Sequence, residues 1–234
     1  MNSLPTPTIK SFDLVADFLE HILHVSASST TLIVCWTREK FIQKLISSIQ
    51  LQSRQTEGEE HPTSEEAPIL SSTLLSNTID ILDKSRRVTL SFCPSLEHLR
   101  AYLGTSNKWP GPRLNPENGP DTEQPLLAIL SPIALHFHTS QFSAQGISRT
   151  LALAVEAASR KSTRLVLCEC QDLNAGEEEH AFSNNPWDMA VPLLNSSTTS
   201  RQPVEISAAQ TVQIRRIAKK WFHFDQTERE AAGP

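Results

Sequence analysis

Two pairs of side chains in the sequence have the types that bind a metal ion. His136 and His138 lie one residue apart in HFH, and Cys168 and Cys170 lie one residue apart in CEC. Imidazole and thiolate are common zinc ligands, and two such pairs meeting at neighbouring strand ends would supply four of them. The CxxC spacing of familiar zinc sites is absent. Two interpretations stay open, a metal-dependent enzyme and buried cysteines beside loop histidines, and we favour the second, with no metal.

A second candidate site is a strand, loop and helix layout that begins with the apolar run TLIVC. A phosphate-binding loop in this position needs glycines, because several backbone N–H groups must converge on the phosphate oxygens, and a lysine to neutralise charge. This loop has no glycine, and Trp36 and Glu39 would obstruct phosphate sterically and electrostatically. We therefore predict a degenerate phosphate-loop position at Trp36, Thr37, Arg38 and Lys40.

The apolar run LLAIL ends in Ser131-Pro132. Enzymes with a phosphate loop hold Mg²⁺ near an acidic residue at the end of such a strand. Ser131 therefore marks a degenerate magnesium-site position. The sequence also lacks the GxSxG and HExxH motifs. We predict a chain that is not an enzyme and has no cofactor.

The stretch TVQIRRIAKKWFHF places basic and aromatic residues side by side in a chain whose formal net charge is −5. Cations can hold a phosphate backbone while an aromatic ring stacks on a base. The alternative is a terminal strand whose apolar side packs on the sheet while its arginines are solvated. The acidic loop at 171–190 would repel DNA if it lay at the same face. The nucleic-acid-binding candidates are Arg215, Arg216, Lys219, Lys220 and Trp221.

Two tryptophans in predicted loops are candidates for partner anchors. Trp187 lies in NNPWDMAVPLL and Trp109 in KWPGP. Tryptophan is favoured at the energetic centre of protein interfaces, and it also plugs the ends of hydrophobic cores. Both interpretations stay open for both residues.

The elements that must position these residues alternate between apolar strands and amphipathic helices. This alternation predicts an α/β fold with a mostly parallel central sheet flanked by helices, and short antiparallel strands toward the C-terminus. The predicted strands cover 31–35, 88–93, 126–130 and 164–168, and the predicted helices begin at Ser11, near 38, near 69, after Ser95 and at 143. The last stretch, from Thr211, is predicted to form strand.

Composition indicates how this domain is divided and where it acts. We predict an N-terminal helix region at 1–29, a main domain at 30–225 with polar insertions at 52–68 and 105–124, and a disordered tail at 226–234. The four cysteines lie in apolar runs, which is typical of free buried thiols. The start of the chain lacks the pattern of a signal peptide, and no apolar run is long enough for a membrane span. We expect an intracellular protein with no membrane partner.

The order of these segments resembles that of a known family. From residue 30 to 225, the runs TLIVCWTREKF, RVTLSFCPSLEHLRAYL, LLAILSPIAL and SAQGISRTLALAVEAASRKSTRLVLCEC, then the basic C-terminal stretch, resemble degenerate RecA-like recombinase paralogues. The chain is similar to the small fungal Shu-complex subunits and to the SWIM-associated paralogue. The resemblance implies a RecA-like fold whose phosphate-loop and magnesium positions are those named above, without their functional residues.

The same resemblance implies a role. It is that of a pseudo-ATPase scaffold in a hetero-oligomer that supports homologous recombination and DNA repair, in the nucleus with the cytoplasm as second location. The expected partners are a recombinase or a SWIM-domain protein, and DNA. The alternative is an accessory subunit of the Elongator type, which has a RecA-like fold without a phosphate loop and acts in tRNA modification.

Overall fold

The protein is built around one parallel sheet. The computed structural model describes residues 6–56, 74, 78–105, 124–170, 185–194 and 210–225. Six strands in the order β3-β2-β4-β5-β1-β8 form the main sheet, and all of its pairs are parallel. These strands are β1 (Thr8–Lys10), β2 (Thr30–Val34), β3 (Val88–Phe92), β4 (Leu126–Leu130), β5 (Arg164–Cys168) and β8 (His223–Asp225). A separate antiparallel pair joins β6 (Ala190–Pro192) to β7 (Thr211–Gln213).

Helices cover both faces of the sheet. They are α1 (Val15–His24), α2 (Arg38–Thr56), α3 (Ile79–Arg86), α4 (Leu96–Gly104), α5 (Ala144–Arg160) and α6 (Ile214–Ala218). One hydrophobic cluster packs α4, α5 and α6 against one face, and a second packs α1 and α2 against the other. Within the described ranges, no helix is long and apolar enough to cross a membrane.

Strand β4 is buried on both faces of the sheet. All five of its residues are buried, with Leu127 and Ile129 in one cluster and Leu126, Ala128 and Leu130 in the other. An apolar run with no polar alternation is what a strand covered by helices on both faces requires. The predicted α/β class, the mostly parallel sheet with flanking helices, and the short antiparallel pair near the C-terminus are confirmed.

The predicted N-terminal helix region also contains a strand. Ile9 is fully buried in β1, which lies between β5 and β8. Lys10 of β1 forms an ion pair with Asp225 of β8. Ser11 is not a helix cap, because α1 begins at Val15 after an extended Leu14. A three-residue strand carries too little periodicity to be recognised from sequence.

Two predicted segments are described only in part. Helix α2 runs to Thr56, so the polar insertion predicted at 52–68 begins with helix. Helix α3 is described from Ile79, while its predicted start near residue 69 lies outside the described residues. In α2 the apolar Ile46 is exposed, whereas Ser48 is buried and accepts a hydrogen bond from the N–H of Ala16. The rest of the first insertion, most of the second at 105–124, and the tail at 226–234 lie outside the described residues.

Candidate functional site at the carboxyl edge of the sheet

The strand order reverses at β2, whose neighbours are β3 and β4. In doubly wound sheets, ligands bind in the crevice outside the carboxyl ends of the strands at such a reversal. The residues at this edge are therefore those that follow β2, β4 and β5. They include both predicted degenerate positions, so the fold brings Trp36 and Ser131 to the same edge, after adjacent strands.

The degenerate phosphate-loop position is filled by protein. The Trp36 side chain is 9 % exposed and packs in the cluster that contains Phe41, with the Lys44 Nζ 5.1 Å from its ring centroid. Thr37 Oγ1 accepts a hydrogen bond from the N–H of Lys40 at 3.2 Å, as a capping side chain does. A buried indole thus stands where a phosphate loop would leave space for a ligand.

The first three side chains of the helix that follows point outward. Arg38, Glu39 and Lys40 are all exposed in the first turn of α2. The predicted candidates Arg38 and Lys40 are therefore ordinary surface cations of a helix.

Ser131 directly follows β4 with an unusual backbone. Its φ is 57°, in the left-handed region that non-glycine residues seldom adopt, and its N–H donates to the Cys168 carbonyl at 2.7 Å. The Ser131 hydroxyl is buried and has no hydrogen-bond partner among the described residues. The position predicted for a degenerate magnesium site is thus enclosed at the end of the strand.

Glu169 is a feature of this edge that sequence reasoning missed. It follows β5, its side chain is buried, and its carboxyl group accepts hydrogen bonds from the backbone N–H groups of Ile133 and Ala134. Burial raises the pKa of Glu169 to about 8, although the two N–H donors act in the opposite direction. The loop after β4 therefore presents its N–H groups to an acid that the chain itself supplies. The sequence signal was a single acidic residue between two cysteines at the end of an apolar run.

The cysteines around Glu169 are buried. Burial raises the pKa of Cys35 and of Cys168 well above the ordinary thiol value, and Glu169 adds to both effects. The Sγ atoms of Cys168 and Cys170 lie 3.7 Å apart. All four cysteines are free, and thiols in such surroundings are poor nucleophiles.

The predicted histidine and cysteine pairs do not form a metal site in the described part of the chain. No three His, Cys, Asp or Glu side chains are grouped there as metal ligands would be. His136 is fully buried, and its ring nitrogens bond to the Gln141 carbonyl at 3.0 Å and to Thr150 Oγ1 at 3.1 Å. Burial lowers the pKa of His136 to about 4, which keeps the ring neutral. This histidine joins the loop after β4 to α5.

The basic C-terminal stretch was wrongly predicted as strand in its central part. Ile214, Ile217 and Ala218 are buried at the spacing of one helix face, and this burial favours α6 between β7 and β8. The exposed residues that follow from this placement are Arg216, Lys219, Lys220 and Trp221, and Trp221 is 37 % exposed.

Arg215 differs from its neighbours on α6. Its guanidinium donates to both carboxylate oxygens of Asp188, at 2.7 and 3.3 Å, and lies 4.8 Å from the ring centroid of Phe224. It therefore fastens α6 to the turn before β6. Arg216, Lys219 and Lys220 have no ion pair with any described residue.

Trp187 is not a surface anchor. It is 2 % exposed, lies in the cluster beneath α5 and α6, and packs edge to face on Phe224 with ring centroids 5.5 Å apart. The core-plug interpretation is therefore the right one, because the indole fills space between the terminal segment and the sheet. Trp109 and most of the acidic loop at 171–190 lie outside the described residues.

Comparison with known proteins identifies the family. The sequence model of the SPAC22G7.03-like family matches residues 13–228, which is nearly the whole chain. The chain belongs to this family. No curated protein matches the sequence.

Proposed function

We propose that this member of the SPAC22G7.03-like family is a non-catalytic scaffold subunit of a hetero-oligomer that supports homologous recombination and DNA repair. It contacts nucleic acid through the exposed side of α6, and its RecA-like sheet contributes shape and surfaces instead of a nucleotide site. Its place of action is the nucleus. The partners are a recombinase or a SWIM-domain protein, as the resemblance of the sequence implies.

The observation that carries the non-catalytic role is the contact between Glu169 and the loop after β4. Backbone N–H groups at the carboxyl edge of a doubly wound sheet are the groups that hold an anionic ligand. Here the N–H groups of Ile133 and Ala134 are occupied by an internal carboxyl group. Trp36 fills the neighbouring position after β2. A nucleotide phosphate would have to displace both.

The nucleic-acid contact is supported by the exposed cations of α6 and of the turn that follows it. Arg216 lies on the exposed side of α6, Lys219 and Lys220 follow in the turn after the helix, and Trp221 comes next with its indole partly exposed. Cations without ion pairs can exchange their counterions for phosphates at little cost. An exposed indole beside them can stack on an unpaired base.

The experiment for this contact is a DNA titration at several salt concentrations. Replacing Arg216, Lys219 and Lys220 together by alanine should weaken binding. The dependence of log K on log salt should become shallower, by about 0.7 to 0.9 for each phosphate that the variant no longer neutralises. The matched control replaces Arg38, Lys40 and Lys161 by alanine, which removes the same charge at the degenerate phosphate loop and after α5.

Equal weakening in the two triple variants would mean that net charge alone drives binding, and the contact through α6 would be wrong. An unchanged salt dependence in the α6 variant would also place the phosphate contacts elsewhere.

The repair role is tested by what the chain binds in the cells that express it. Affinity purification followed by mass spectrometry should recover a recombinase or a SWIM-domain protein. Recovery of Elongator subunits instead would move the same fold to tRNA modification. ATP hydrolysis by the purified chain at an ordinary enzymatic rate, abolished by Lys40→Ala, would contradict the non-catalytic role.

A further inference from the structure

The two faces of the sheet are covered by helices, but β3 is at an edge. It pairs with β2 on one side, and no described strand pairs with it on the other. Its Thr89 and Leu90 are exposed, and Leu90 is 43 % exposed although it pairs in register with the buried Leu32. The strand has the sequence VTLSF, with no charged residue and no proline.

This composition is unusual for a sheet edge. Edge strands are commonly protected by lysine, proline, bulges or a covering element, because their free N–H and C=O groups attract other strands. Strand β3 forms a regular five-residue ladder with β2 and has none of these protecting residues within it. Helices α2 and α3 expose further apolar side chains, at Ile42, Ile46, Ile79 and Leu82.

The hydrogen bonds of β3 fix which of its backbone groups are free. The N–H of Cys93 donates to the Val34 carbonyl at 2.8 Å, and the carbonyl of Arg87 accepts from the N–H of Thr30 at 2.9 Å. Backbone groups of successive strand residues point to opposite sides, so the odd-numbered residues 87 to 93 bond to β2. The N–H and C=O groups of Val88, Leu90 and Phe92 therefore point out of the sheet edge.

We propose that β3 pairs with β3 of a second copy of this chain, antiparallel and centred on Leu90. A two-fold axis through this point places Leu90 opposite Leu90 of the other copy, and Val88 opposite Phe92. Each of these residue pairs then exchanges two backbone hydrogen bonds. The sheets of the two copies continue into one.

Opposite charges lie at the two ends of β3. The exposed Arg86 and Arg87 precede β3, and Arg87 also bonds to Asp83 at 2.9 Å, whereas the exposed Glu97 follows β3 in the first turn of α4. In an antiparallel pair, the basic end of one copy meets the end of the other that carries Glu97. The basic ends of the two copies lie at opposite ends of the paired strands.

The test is the mass of the purified chain in solution over a wide range of concentrations, by sedimentation or light scattering. We expect the mass to rise from 26.0 kDa toward twice that value. Leu90→Lys should raise the dimer dissociation constant more than about tenfold, because two lysines would face each other at the axis. Leu194→Lys, which adds the same charge at another exposed leucine, should leave the mass unchanged.

A chain that stays monomeric at all concentrations would overturn the proposal, and so would a dimer that Leu90→Lys leaves intact. Amide hydrogen exchange decides the matter if Leu90→Lys fails to fold. In the unaltered chain, the amides of Val88, Leu90 and Phe92 should become protected as the concentration rises. Exchange at these amides that does not depend on concentration would contradict the pairing. None of these outcomes depends on DNA binding or on the recombination role.

Discussion

The carboxyl edge of the sheet and the surface at α6 differ in whether their ionisable side chains have protein partners. At the edge, the buried Glu169 is held by two backbone N–H groups. In α6 and the turn after it, three cations are exposed without an ion pair among the described residues. A buried polar group must have partners built for it, whereas an exposed charge needs none. Glu169 therefore belongs to the architecture, while the cations of α6 remain available for binding.

The largest effect is expected when the Glu169 carboxyl group is removed. Glu169→Ala removes the carboxyl acceptor of the Ile133 and Ala134 N–H groups and leaves a cavity. We expect the free energy of unfolding to fall by about 3 kcal/mol. Chemical denaturation of both proteins measures this difference. Glu169→Gln, which keeps an acceptor oxygen, should cost clearly less, and equal effects of the two variants would contradict the role of the hydrogen bonds.

A second prediction concerns pH and the same carboxyl group. The pKa of Glu169 is about 8 in the folded chain and near 4.5 in the unfolded chain, so the folded state holds a proton that the unfolded state releases between these values. The contribution of this proton to the stability of the folded state is complete below pH 4.5 and is lost as the pH rises through 8. His136, whose pKa is lowered to about 4, acts in the opposite sense, but only below its ordinary value of 6.5.

The informative window is therefore pH 6.5 to 8, above the range of His136. There the unaltered chain should lose about 1 to 2 kcal/mol of stability relative to Glu169→Gln, which cannot release a proton. Denaturation curves of both proteins at several pH values measure the effect. Parallel pH dependences would show that Glu169 does not titrate in this window.

The smallest expected effect separates two neighbouring arginines on α6. Arg215→Ala breaks the ion pair with Asp188 and the stacking on Phe224, and it should lower stability by about 1 kcal/mol, since the pair is partly exposed. Arg216→Ala removes an exposed side chain and should leave the melting temperature unchanged while weakening DNA binding. Equal destabilisation by the two substitutions would mean that Arg216 also holds the fold together.

The sequence was informative where burial and periodicity coincide. The all-apolar β4 was predicted at its actual bounds, and α5 was predicted to begin at Ser143, which is the residue that caps it. Burial against neighbouring elements requires an unbroken apolar run in β4 and a regular apolar stripe in α5. The segment from Ile214 to Ala218 was mistaken for strand, because a five-residue helix has too few turns for its period to stand out.

Of the candidate site, only the missing phosphate-loop and magnesium-site residues could be predicted from the sequence. The missing glycines around Trp36 and the missing acid at Ser131 can be read directly from the sequence. The contact of Glu169 with Ile133 could not be, because it joins residues 36 apart that only the pairing of β4 with β5 brings together. The burial of Trp187 was equally hidden, since it depends on Phe224 from the last strand.

The position of β1 in the sheet has a consequence for how the chain folds during synthesis. Strand β1 leaves the ribosome before its partners β5 and β8, so Ile9 can pair only after Leu167 and Phe224 have been made, far later. Such distant pairings are slow to form, because the entropy of closing a long loop is lost before the contacts that offset it are made. The half of the sheet from β2 to β5 can assemble first, and β1 then enters between β5 and β8. Among the described strands, β8 joins the sheet through β1 alone.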